Sequence, residues 1–110
     1  MVASERGAAA DAARRAIERV FDVAGDAMAE TADLAIDIAR IPAPTGDESA
    51  RAARVAHIFR EHGLDDVRID DLHDVIARVP GASPGKSVLL TAHTDTVFPA
   101  DTDLKIARAG

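Results

Sequence analysis

The chain has 110 residues, a net charge of -6 and no cysteine. That length suits one small domain. A hydrophobic content of 47% argues against disorder, and the absence of cysteine excludes disulfides and thiolate metal sites. Any zinc would therefore have to be held by histidine and carboxylates. No basic patch or interleaving of basic and aromatic residues supports nucleic-acid binding, and no apolar run reaches the roughly 18 residues of a membrane span. Residues 1–7 lack the apolar middle of a secretion signal, so a cytoplasmic location is the expectation.

In chain order, residues 1–7 read as a flexible tail and residues 8–110 as the folded part. Helical spacing begins with Ile17, Val20, Phe21 and Ala24, at i, i+3, i+4 and i+7. Gly25-Asp26 predicts a break, with Asp26 able to cap a second helix that runs to about Arg40. Met28, Leu34, Ile38 and Ile41 are its inward candidates. The apolar phase persists across Gly25, so a single bent helix is the alternative. Ile41-Pro42-Ala43-Pro44 cannot continue a helix, because proline lacks the amide proton and restricts the residue before it. Thr45-Gly46-Asp47-Glu48 matches a capping box, with Thr45 at the N-cap and Glu48 three residues on. The helix it predicts covers residues 46–62 and buries Ala52, Val55, Ala56 and Phe59, with Gly63 as the left-handed residue after its end.

Val67 and Ile69 alternate with polar residues and predict a strand. Residues 70–74 form a turn, and Val75-Ile76-Ala77-Arg78-Val79 is the return strand of a hairpin. After a loop over residues 80–85, Val88-Leu89-Leu90 predicts a buried strand reaching Ala92. Leu104 to Arg108 alternates weakly and predicts the start of another.

The abrupt polarity after the Val88 run is the most informative feature. In an extended segment, residues i and i+2 project to one side. His93 and Asp95 would then share one space at a strand's carboxyl end, the edge at which open α/β sheets bind ligands. A carboxylate beside an imidazole can orient the ring and fix its tautomer for metal binding. The other histidines read as structural: His57 lies mid-helix, His62 in the last helical turn and His73 in the hairpin turn. A phosphatase Asp-x-Asp-x-Thr signature is excluded. One register puts His93 at the nucleophile, and the other puts Val97 at the second aspartate.

Ala92-His93-Thr94-Asp95-Thr96-Val97 resembles the first metal motif of the co-catalytic zinc metallopeptidases. That family contains tripeptidase T, glutamate carboxypeptidase, aminoacylase, acetylornithine deacetylase and succinyl-diaminopimelate desuccinylase. Three further segments are similar to the family's in the same order: Ile41-Pro42-Ala43-Pro44-Thr45-Gly46-Asp47-Glu48, the hairpin over residues 66–78, and residues 104–110. The likeness covers about residues 34–110. His73-Asp74 departs from the Gly-Asn often found in the family's hairpin turn.

The resemblance implies an α/β fold: a partial zinc-exopeptidase-like layered domain with a mixed sheet and flanking helices, truncated before the lid domain. It implies that His93 binds one of two zinc ions, with cobalt or manganese as substitutes, and that Asp95 is the catalytic aspartate supporting that histidine. The implied full-length enzyme cleaves peptide or N-acyl amino acid amide bonds with metal-activated water, and its lid domain often dimerises. The family's bridging Asp, Glu pair, further metal carboxylate and last His match nothing in this chain. It is expected to be the amino-terminal part of the catalytic domain. The competing reading is a catalytically inactive truncated piece with a structural or binding role.

Overall fold

The computed structural model describes residues 2–109. It contains two helices and a two-stranded antiparallel sheet, in the order α1 (Val2–Ala39), α2 (Ser49–Glu61), β1 (Asp65–Ile69) and β2 (Val75–Arg78). The chain divides into two compact units, residues 1–35 and 36–110.

The first unit is the bulk of α1. Two expectations are corrected here. Residues 2–7 are helical rather than a loose tail, and the helix runs through Gly25 without a break. Alanine, the strongest helix former, dominates this stretch, and one interior glycine costs only about 1 kcal/mol. Leucine, arginine and glutamate neighbours keep the propensity high. The helix stops before Pro42, with its end tightened by the Ile41 amide donating to the Ile38 carbonyl at 3.1 Å.

The second unit packs α2 against both strands of the hairpin. Its buried apolar residues are Ala43, Ala52, Ala56 and Ile58, joined by Arg51. Ala52 and Ala56 are buried as expected, whereas Val55 and Phe59 are only half-buried and Ile58 takes the inner position.

The capping box is a further correction. α2 begins at Ser49, and its N-cap, Glu48, makes no side-chain capping bond. The residues before it form a turn in which the Asp47 amide donates to the Pro44 carbonyl at 2.8 Å. Gly46, third in that turn, has φ +93°, the left-handed position that type II turns reserve for glycine. The turn draws the Glu48 carboxylate onto the Gly46 amide at 2.6 Å and leaves the Thr45 hydroxyl to another partner.

At the other end the expected left-handed glycine is present: Gly63 has φ +71°. Its amide donates to Arg60, and the Leu64 amide donates to Phe59, each at 3.0 Å. This is the paired-bond helix stop known as the Schellman motif. Gly63→Ala is expected to lower stability by about 1 kcal/mol, the penalty of a Cβ in the left-handed region. An unchanged urea midpoint would show that the motif carries no such constraint.

The hairpin pairs Asp65 with Arg78, Arg68 with Ile76 and Ile69 with Val75, with a bulge between Asp65 and Arg68. Its turn is held by Asp70, whose carboxylate accepts the amides of Leu72 and Asp74, both at 2.9 Å.

The run at residues 88–90 differs from expectation. Val88, Leu89 and Leu90 are 85%, 85% and 89% exposed, and neither this run nor residues 104–108 forms a strand. Strand preference is a preference for a pleated surface with neighbours on it. The hairpin accepts no third strand among the described residues. The sheet is accordingly antiparallel rather than mixed. Among the described residues, parallel pairing is limited to a bridge between Pro44 and Thr96.

Among the described residues, no helix is long and apolar enough to cross a membrane.

Candidate functional site

Two segments far apart in sequence meet to hold Asp95. One is the proline-rich connection between α1 and α2, over residues 41–46. The other is residues 93–96, just after the exposed apolar run. Prolines stiffen the first segment in an extended form, so its carbonyls are open to partners outside it. The Thr96 amide donates to the Ala43 carbonyl at 2.8 Å. The Thr45 hydroxyl donates to Asp95 Oδ2 at 2.6 Å.

Arg51, on the first turn of α2, fastens the same two segments from beneath. It is only 6% exposed. Its Nε donates to the Ile41 carbonyl at 3.0 Å and its Nη1 to the Thr94 carbonyl at 2.8 Å. Nη2 also donates to Ile41. The planar guanidinium suits this task, because its donors are fixed in a fork. The peptide between His93 and Asp95 is thereby tied to the start of α2.

His93 and Asp95 come together as their spacing predicts. His93 Nδ1 lies 3.4 Å from Asp95 Oδ1, with the imidazole 97% exposed and the carboxylate 31% exposed. That distance is an ion-pair approach, longer than an ordinary N–H···O hydrogen bond. Asp95 therefore has one oxygen on Thr45 and the other toward His93.

The Thr45 hydroxyl holds the Asp95 carboxyl below its ordinary value. Partial burial opposes this, and the neighbouring His93 ring and the Asp95 amide add to the lowering. A lowered folded value stabilises the fold fully above the unfolded value, and that stability is lost as pH falls through the folded one. The contribution is therefore complete at neutral pH and fades below the ordinary carboxylate value of about 4. Thr45→Val is expected to destabilise the chain slightly at neutral pH, with the difference narrowing in acid. Urea midpoints for the two proteins at each pH check this. A difference that stays constant would detach the pH effect from Thr45.

The other histidines lie elsewhere. His57 Nε2 is 3.2 Å from Glu61 one helical turn on, and His73 Nδ1 is 3.8 Å from Glu48. His62 is the C-cap of α2. An open groove lined by Arg40, Pro42 and residues 102–106 includes neither His93 nor Asp95.

Among the described residues, no group of three or more His, Asp or Glu side chains is placed to hold a metal ion. His93 and Asp95 supply two donors where zinc typically takes three or four protein ligands. By themselves the described residues do not fit a zinc, cobalt or manganese site.

Two participants do not read as parts of the site in the sequence. Arg51 sits among charged residues of an amphipathic helix, and nothing in its neighbours separates it from Arg54 or Arg60. Thr45 reads as a helix cap, because the capping pattern is local while its actual partner is 50 residues away.

Comparison of the chain with protein-family models, with curated proteins and with solved structures returns no match.

Proposed function

We propose that this chain is the amino-terminal part of the catalytic domain of a metal-dependent hydrolase. Its substrates would be peptides or N-acyl amino acids cleaved at the amide bond. In this reading His93 is one metal ligand, through Nε2, and Asp95 orients it. The zinc-exopeptidase-like layering belongs to the same proposal.

The observation that supports the reading is the arrangement at Asp95. Its carboxylate is fixed by Thr45 on one side and turned toward His93 Nδ1 on the other. A carboxylate behind one ring nitrogen is the usual support for a histidine that ligates through the other. The remaining ligands and the general base would come from sequence beyond Gly110.

The test is metal analysis and an amide-hydrolysis assay on the chain continued through its downstream sequence. The expected result is bound metal and hydrolysis of dipeptides or N-acyl amino acids that a chelator abolishes. A continued chain that folds but neither binds metal nor hydrolyses any amide would overturn the proposal.

A further inference from the structure

His73 occupies a position that backbone geometry favours for glycine. Its φ is +66°, in the left-handed region, and its amide donates to the Asp70 carbonyl at 3.1 Å. A left-handed residue after such a turn closes short hairpin loops, and glycine fills the place at least cost. Histidine tolerates this conformation better than most residues, so the angle alone assigns it no role. The ring, however, is only 39% exposed and sets Nδ1 3.8 Å from Glu48 Oε2.

Glu48 joins three parts of the second unit. Its side chain is 14% exposed, and a carboxylate so far out of water needs partners. Oε1 accepts the Gly46 amide at 2.6 Å, and Oε2 faces His73. Its backbone starts α2: Glu48 is the N-cap, and its carbonyl accepts the Ala52 amide at 2.9 Å. The bond to Gly46 closes the turn that carries Thr45, and Thr45 holds Asp95.

We infer that His73 and Glu48 are positioning residues for Asp95, and that they couple the hairpin turn to the candidate site. The path runs from the His73 ring to the Glu48 carboxylate, the Gly46 amide, the Thr45 hydroxyl and Asp95. Glycine at position 73 would ease the backbone of the turn and cut the path at its start. The coupling rests on these contacts and not on the hydrolase reading, so a chain without hydrolytic activity should still show it.

Nuclear magnetic resonance of the 110-residue chain tests it. The Gly46 amide proton reports the bond to Glu48, whose charge strengthens it. The Thr96 amide, bonded to Ala43, reports closure of the site. His73→Gly is expected to move the Gly46 resonance upfield and to speed Thr96 exchange several-fold. The amides of Leu72 and Asp74, held by Asp70, should keep their protection, because the turn itself is intact. His73→Asn, which also tolerates the left-handed region, should act like His73→Gly. In a Glu48→Ala background, which lacks the receiving carboxylate, His73→Gly should change Thr96 exchange no further. Gly46 and Thr96 amides unchanged in both His73 variants would overturn the inference. So would an equal effect of His73→Gly on Thr96 with and without the Glu48 side chain.

Discussion

In a chain continued past Gly110, His93→Ala is expected to lower metal content and remove most hydrolytic activity. Under the proposed function the imidazole is a direct ligand, and a methyl group cannot replace it. Asp95→Asn should behave differently. The amide keeps the shape and can still accept from Thr45, but it no longer offers a charged oxygen to His93. Metal content should largely persist, and turnover should fall by roughly 10–100-fold, the usual cost of losing a ligand's orienting partner. His57→Ala, His62→Ala and His73→Ala should leave metal content unchanged. Full metal and full rate in the His93→Ala protein would remove the metallopeptidase reading of this stretch.

Arg51→Met is expected to destabilise the second unit by about 2–3 kcal/mol, because it strands two carbonyls that a charged donor now satisfies. The effect should be largest at the site. The Thr96 amide, bonded to Ala43 next to this clamp, should exchange with solvent markedly faster. Arg51→Lys should recover only part of the loss. Lysine restores the charge, but one ammonium cannot reproduce a fork that reaches Ile41 and Thr94 together. A urea melt and hydrogen exchange on the three proteins check this. An unchanged midpoint with unchanged Thr96 protection would show that the clamp bears no weight.

What could be read in the sequence was what is local. The hairpin, its Asp70 turn, the left-handed Gly63 and the prolines that end α1 all follow from residues within a few positions of one another. The His93–Asp95 approach was legible for the same reason, since it depends on period-two geometry alone. The misreadings have one cause. Thr45 had a near partner by pattern and took a distant one. Gly25 has the local look of a break, but helix propensity acts over the whole alanine-rich length of α1. Residues 88–90 have strand chemistry, but a strand also needs a neighbour, and a neighbour is a property of the whole sheet. Arg51 was invisible because its burial depends on three segments converging.

The Thr45–Asp95 hydrogen bond spans 50 residues of chain. Closing a flexible loop of that length costs about 3–4 kcal/mol in chain entropy. One exposed hydrogen bond does not recover that. Closure is shared with the Thr96–Ala43 bond and the Arg51 clamp, which join the same segments, and α2 and the hairpin shorten the loop by folding within it. The site is then a late product of folding and an early casualty of partial opening. During synthesis the order is favourable. The anchor at Thr45 leaves the ribosome before the segment it holds, by roughly 3–10 s at typical elongation rates. The helix and hairpin have that interval to form before His93 arrives.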